Sequence, residues 1–325
     1  MSFPLFVTLF VFILIFFLRM PIAFGMLASA ACYLIVKGGD LSLVVNQVMN
    51  TYYTNYVIIA VPLFIFTANV MNTGRVTEMI YNFALGLTGR MRGALGQVNI
   101  LGSLLFSGMT GSAIADAAGL GKIEIEAMTA AGYEPEYSCA ITTASATLGP
   151  IFPPSIPLVI YAMLSSTSVG ALFMGGMIPA FLLAAALMVY VGIVSYKRKH
   201  PRGDKLVWKT FLVSTFKAIP ALMTPVILLM GIYLGVTTPT EAGAIAALYA
   251  ILISVFAYRA LGWRDLIDIV KTSVKDMGAT SIMIGAATII SYIVAREQLA
   301  QNIGAWILGL TTNKWVFLFI VNVVI

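Results

Sequence analysis

Long apolar stretches, separated by short polar clusters, fill most of this chain. Predominantly apolar runs cover Phe3–Leu18, Pro21–Val36, Val57–Val70, Gly170–Tyr196, Phe216–Leu234, Ala242–Tyr258 and Met277–Val294. Several approach or reach the roughly 20 residues that carry a helix across a bilayer. Apolar and polar positions do not alternate within them, as the strands of a membrane barrel require. The pattern predicts an all-α, polytopic membrane protein.

Composition supports this reading. Of 325 residues, 60% are hydrophobic and only 10% charged, against about 25% charged in a soluble domain. So few charges cannot cover a water-facing surface, and a lipid bilayer is the implied solvent. The formal net charge of +6 then reads as basic cytoplasmic loops, with no nucleic acid as partner. Cys32 and Cys139 lie in apolar segments and read as small buried hydrophobes. His200 is the only histidine and follows Lys197, Arg198 and Lys199, so it reads as part of a solvated loop. One histidine excludes zinc centres and histidine-based nucleophilic catalysis, and no enzyme is expected. The N-terminus lacks a basic region and a cleavage site, so its apolar run reads as a retained span.

The basic residues give an orientation. Arg19, Arg75 with Arg90 and Arg92, the 197–205 cluster, and Arg259 with Arg264 mark the cytoplasmic side. The chain then starts outside and crosses to Arg19. It returns to Lys37–Asp40 and crosses again to reach Arg75. Met79–Leu87 reads as an amphipathic segment on the inner interface. Two shorter apolar pieces, 94–106 and 113–130, form a re-entrant hairpin with its tip near Thr110. A discontinuous span over 138–164 leads out, and 170–196 returns to the basic cluster.

The pattern then restarts. RMPIAFGMLASAACYLI (19–35) aligns with TTPTEAGAIAALYAILI (237–253), sharing Pro21/Pro239, Gly25/Gly243 and Ala28/Ala246. The first unit begins outside and the second inside, which is the inverted-topology repeat of many secondary transporters. Residues 1–196 form the first repeat, 197–215 a basic cytoplasmic linker, and 216–325 part of a second repeat. On this register the chain stops before a second copy of the hairpin, so truncation is expected.

Two polar breaks carry the candidate chemistry. The first runs from Ser107 through Thr110, Gly111, Ser112 and Asp116 to Gly121. Its glycines permit unwound backbone, tolerated at membrane depth only where it is buried or lines a cavity. Hydroxyls and one carboxylate are the hard oxygen ligands of a small cation. Ser112 and Asp116 are four apart, which on a helix gives them one face. An aspartate at the centre of a membrane helix costs roughly 2.5–3.5 kcal/mol on insertion scales, so a functional role is the default. The bland reading is a side chain snorkelling to Lys122 or capping the next helix.

The second break holds Thr142, Thr143, Ser145, Thr147 and Gly149, then Pro150, Pro153, Pro154, Ser155 and Pro157. Four prolines in eight residues cannot sit in one continuous helix. Half-helix ends aimed into the membrane suit an anionic substrate and a cation. Ser107, Thr143, Pro153, Pro154 and Ser155 are the candidate substrate-binding residues. Glu124 and Glu126 read as lying near the inner surface, and Glu241 as facing helix-start amides. Trp208, Trp263, Trp306 and Trp315 read as interfacial anchors, and Gly231 with Gly235 as a helix-packing spacing.

SGMTGSAIADAAGLG followed by ATLGPIFPPSIPLVIYA, with RMPIAFG upstream and TTPTEAGA downstream, resembles the large membrane subunit of tripartite ATP-independent periplasmic (TRAP) transporters, the DctM-like proteins. The resemblance covers essentially the whole chain. It implies an elevator-type ion-transporter fold in the bacterial inner membrane and sodium-driven uptake of organic acid anions, such as C4-dicarboxylates, sialic acid or other sugar acids. It also implies a periplasmic substrate-binding protein and a small DctQ-like membrane subunit as partners. No cofactor is implied beyond Na+ as the coupling ion. By motif position the sodium site maps onto Thr110, Gly111, Ser112 and Asp116, with Ser145, Thr147 and Gly149 around it. A stand-alone carrier of the same superfamily, a non-transporting scaffold subunit and a membrane enzyme on a lipid-linked substrate are the alternatives.

Overall fold

The computed structural model describes residues 2–203, 208–311 and 313–324. Part of the basic 197–205 cluster, Asp204 and Lys205, therefore lies outside the described residues. In chain order the helices are α1 (Phe3–Phe17), α2 (Ile22–Lys37), α3 (Ser42–Thr54), α4 (Ala60–Thr73), α5 (Val76–Thr88) and α6 (Ala94–Thr110). They continue as α7 (Ala113–Ala118), α8 (Leu120–Ala130), α9 (Pro135–Ala146), α10 (Ile156–Ser165) and α11 (Val169–Lys197). The last five are α12 (Trp208–Tyr233), α13 (Pro239–Leu252), α14 (Trp263–Arg296), α15 (Leu299–Leu310) and α16 (Lys314–Val324). Among the described residues there is no strand, only an isolated bridge between Arg92 and Arg202. The chain is an all-α membrane protein: five of its helical segments are long and apolar enough to cross a bilayer, and further short apolar helices accompany them. Exposed Phe10, Ile178, Leu182 and Phe216 fit this solvent, since a water-soluble monomer rarely exposes so much contiguous apolar surface.

Two compact units divide the chain, one of residues 2–55 with 279–324 and the other of residues 56–278, apart from those outside the described set. In the first, Leu5, Ala30, Tyr33, Leu34, Ile289 and Ile293 form the core. Gly38 ends α2 in the left-handed conformation. Just beyond α14, Glu297 accepts hydrogen bonds from Ser2 Oγ (2.6 Å), Tyr33 OH (2.5 Å) and Lys37 Nζ (2.5 Å). Those bonds, the lysine's foremost, pull its carboxyl down to about 2.

The second unit has three apolar cores. Phe106, Met109 and Leu120 pack with Val70, Ile80 and Ala221 in one. Phe64, Val159, Phe173 and Ala246 form another, and Ile100, Met128, Ile141 and Leu148 meet Ala180 and Val191 in the third. Local sequence sets the helix ends. Thr238 and Glu241 make a reciprocal capping box at the start of α13, with Pro239 at the first turn. Glu241 thus faces helix-start amides, as expected from sequence. Pro220 and Pro225 sit inside α12 and disturb its ladder. There Tyr258 OH inserts itself, accepting from Ala221 N (3.2 Å) and donating to Lys217 O (2.8 Å).

Several expectations need correction. His200 is no solvated loop residue: it is 7% exposed, wedged between the Tyr133 and Tyr137 rings at 4.6 and 4.7 Å. Cys139 is exposed and Cys32 half-buried, and both are free. Gly231 and Gly235 do not share a helix, because α12 ends at Tyr233 and Gly235 turns the chain at φ +69°. Trp306 lies within α15, not at its end.

Candidate functional site

Both polar breaks interrupt helix where the residues forbid it. α6 stops at Thr110 because Gly111 turns left-handed, φ +61°. Ser112 follows in extended conformation and caps α7, its Oγ accepting from Ala115 N at 3.4 Å. Ser112 thus stands at the N-cap, just before the helix proper, and its carbonyl accepts from Asp116 N at 3.1 Å. In the second break, α9 ends at Ala146 and residues 147–155 run irregularly across the prolines to Ser155, which caps α10. Ser155 Oγ accepts from Leu158 N (3.3 Å) and donates to Pro150 O (2.5 Å).

The two breaks touch, backbone against backbone, and glycine makes that possible. A Cβ on Gly111 would lie 2.3 Å from Pro154 O and 3.0 Å from Ser155 Cα. A Cβ on Gly149 would lie 2.8 Å from the Ser112 carbonyl carbon and 2.9 Å from Ala113 N. One backbone hydrogen bond, Ile156 N to Gly111 O at 3.3 Å, ties the contact. Thr110, Gly111, Ser112, Gly149, Pro153, Pro154 and Ser155 thus belong to one junction, with Pro153, Pro154 and Ser155 buried in it.

Beside the junction lies a buried polar array. Asp116 is 1% exposed and neither carboxyl oxygen has a partner; it neither snorkels to Lys122 nor caps a helix. Ser107 is fully buried and its hydroxyl is likewise unpartnered. Thr110 Oγ1 bonds back to Phe106 O at 3.4 Å. Ser145 is committed: its Oγ accepts from Ser103 Oγ (3.1 Å) and lies 2.5 Å from Asn99 Oδ1 and 3.0 Å from Thr142 O. Asn99 in turn donates to Thr142 Oγ1 at 2.6 Å. Two predicted residues turn elsewhere. Thr143 and Thr147 are exposed, their hydroxyls bonded to Cys139 O and Ala144 O.

Sequence reasoning passed over Asn99, Ser103 and Thr224 and read Glu124 as lying near the inner surface. Thr224, on α12, is fully buried with an unpartnered hydroxyl, next to Pro225, whose Cβ would lie 3.2 Å from one on Gly108. Glu124 does not lie at a surface: it is 1% exposed on α8, and both of its oxygens lack partners. A signal existed for most of these. Asn99, Ser103 and Ser107 recur every four residues and mark one face of α6, and Glu124 falls between Leu120 and Met128 at the same spacing. Among the described residues no group of three or more His, Cys, Asp or Glu side chains gathers as a metal site. Oxygens of Asp116, Ser107 and the broken backbone fit a hard, weakly held cation instead.

A many-helix membrane chain whose two broken segments meet backbone against backbone, with buried unpartnered oxygens on the same helices, has the architecture of a membrane transport protein. The family described as the tripartite ATP-independent periplasmic transporter, DctM component, matches residues 7–325, and the chain belongs to that family. It is 40% identical over 309 residues to the sialic acid TRAP transporter large permease protein SiaM of Vibrio cholerae, covering 95% of this chain and 72% of the relative. To the sialic acid TRAP transporter permease protein SiaT of Haemophilus influenzae it is 34% identical, covering 99% of this chain and 52% of the relative. The C4-dicarboxylate TRAP transporter large permease protein DctM of Pseudomonas aeruginosa is 35% identical over 83% of this chain and 64% of its own length. The chain thus spans between about half and three quarters of these relatives. It is a permease of a transport family, not an enzyme, and a multi-pass membrane protein.

Proposed function

We propose that this chain is the large membrane subunit of a sodium-driven importer of organic acid anions in the bacterial inner membrane. A periplasmic binding protein delivers the anion, and a small membrane subunit completes the complex. The observation that carries the reading is the junction at Gly111 and Gly149, with the orphaned Asp116 carboxyl beside it. Buried polar groups nearly always have partners, and a buried unpaired carboxylate costs several kcal/mol unless a counter-charge meets it. Sodium is that counter-charge, held by Asp116, Ser107 and carbonyls freed at the end of α6. The anion binds where α10 begins at Ser155, the positive end of a helix.

Relatives named for sialic acid and for C4-dicarboxylates both support an organic acid as cargo. The 40% identity to SiaM favours a sialic acid or another sugar acid. The inverted repeat, divided at 197–215, and elevator-like movement of the hairpin belong to the same proposal.

The test is sodium titration of uptake in proteoliposomes holding the complete transporter, comparing wild type with Asp116→Asn. The variant should insert and fold, yet need about tenfold more sodium or more for half-maximal uptake. An unchanged sodium curve overturns the assignment. Uptake that needs no binding protein would favour the stand-alone carrier.

A further inference from the structure

We propose that Glu124 and Asp116 are the two carboxylates of one cation site, which holds the coupling ion between α7 and α8 under the face of α6. This deepens the sodium reading above and rests on it. Nothing in the motif resemblance marks Glu124. The structure does, by four facts that point the same way.

The first is burial without partners. Asp116 and Glu124 are each 1% exposed, and all four of their carboxyl oxygens lack a hydrogen-bond partner. The second is proximity: α7 packs directly on α8, and a Cβ on Gly121 of α8 would lie 3.5 Å from the Asp116 carbonyl oxygen. Third, no side-chain cation neutralises either. The ion pairs among the described residues join Lys37 to Glu297, Arg198 to Glu134 and Lys271 to Asp268, and Lys122 is exposed.

The fourth is that the helices are shaped around Glu124. A Cβ on Gly102 of α6 would lie 2.8 Å from Glu124 Oε1 and 3.0 Å from Leu120 Cδ2. A Cβ on Gly121 of α8 would lie 2.7 Å from Thr142 Cγ2 of α9. Missing side chains at both places seat α8 between α6 and α9 with its glutamate turned inward. Among the neighbouring polar groups, only the Ser103 hydroxyl is turned toward Asp116, and it donates to Ser145 Oγ at 3.1 Å. Asn99 Nδ2 donates to Thr142 Oγ1, and Ser145 Oγ takes up Asn99 Oδ1 and Ser103 Oγ. The carboxyl oxygens are the acceptors left over.

Two like charges brought together out of water repel and lose hydration, and only a small cation between them reverses both costs. Hard oxygen donors of this kind suit sodium. Binding then pulls α7, α8 and the Gly111 end of α6 together, coupling the ion to the geometry of the junction.

The experiment measures thermal unfolding of the protein in detergent, titrated with NaCl against KCl at constant ionic strength. Glu124→Gln keeps volume and removes charge. Its midpoint without sodium should equal or exceed that of wild type, while the sodium-induced rise shrinks and half-saturation moves up at least about tenfold. A purely structural glutamate would give the reverse: a lowered midpoint and the wild-type sodium response. Asp116→Asn, run in parallel, separates the two readings. If Glu124→Gln responds like wild type and Asp116→Asn does not, this proposal fails and the sodium reading stands. If neither variant alters the response, both fail. Should Glu124→Gln not fold, the wild-type chain is labelled with a carboxyl-reactive carbodiimide and mapped by mass spectrometry. Sodium protection of both carboxyls supports the pair, and lack of sodium protection at Glu124 overturns it.

Discussion

At the scale of single residues, the site depends as much on missing side chains as on present ones. Gly111 and Gly132 make the point as a pair. Both are left-handed, at φ +61° and +89°, but a Cβ on Gly111 meets Pro154 O at 2.3 Å, whereas one on Gly132 meets nothing within 4 Å. Alanine in the left-handed region costs about 1–2 kcal/mol at either place. Only at Gly111 must the second break also move away. Gly111→Ala should therefore abolish uptake and lower the unfolding midpoint well beyond Gly132→Ala, which should transport normally. Equal loss of uptake in the two variants would show that backbone strain matters and contact does not. The break at Gly111 was legible in sequence, because glycine density and polar residues in an apolar run are local signals. Its contact with Pro154 was not, since the two segments are some forty residues apart and nothing local encodes which backbone meets which.

Elements were legible wherever one rule dominated. Apolar length marked the long helices, four prolines marked the gap between α9 and α10, and Thr238 with Glu241 marked the start of α13. Amphipathic α3, with its polar positions, carried no such mark, and neither did the inward turn of Glu124, because Glu126, Glu134 and Glu136 nearby suggest a wet surface. His200 shows the same failure in a connecting segment. Three basic neighbours argued for solvent, but Tyr133 and Tyr137 enclose the ring, and its Nδ1 lies 3.1 Å from Ser195 Oγ. Burial, and next the Arg198 guanidinium, hold its pKa below the usual value, with Glu134 opposing weakly. The folded imidazole thus binds a proton less readily than the unfolded one. Its contribution to stability is present above the unfolded pKa of about 6.5 and is lost as pH falls below it. Between about pH 7.5 and 5.5 the wild-type melting midpoint should drop more than that of His200→Phe, which keeps the ring packing and cannot titrate. Parallel curves for the two proteins would assign the acid sensitivity elsewhere.

For the whole molecule, the contact units and the proposed repeats divide the chain differently. The proposed repeats follow chain order and turn over at 197–215, whereas one compact unit takes residues 2–55 with 279–324 and the other residues 56–278, apart from those outside the described set. An inverted repeat needs the second half to enter the membrane with a defined orientation. That orientation rests on charge alone: Arg19, Arg75, Arg90, Arg92 and the basic residues from Lys197 to Arg202 on the cytoplasmic side, Lys37–Asp40 outside. Single-cysteine labelling tests it directly. Cys32 and Cys139 are first replaced by alanine, the exposed Cys139 being the greater source of background. Gly38→Cys, at the left-handed end of α2 with open space around it, should react with a membrane-impermeant maleimide added to intact spheroplasts. Lys199→Cys, just beyond α11, should react only after the membrane is opened. Labelling of both from outside would break the odd number of crossings between them, and with it the argument that the second repeat is inverted. Labelling of Lys199→Cys alone would invert the whole orientation while leaving the repeat intact. The positive-inside rule counts lysine and arginine in short loops, and the loop after α11 holds the densest such cluster in the chain. It therefore weighs most in the orientation: the Lys199→Cys result tests which side that loop faces, and the Gly38→Cys result then separates an inverted chain from an even number of crossings.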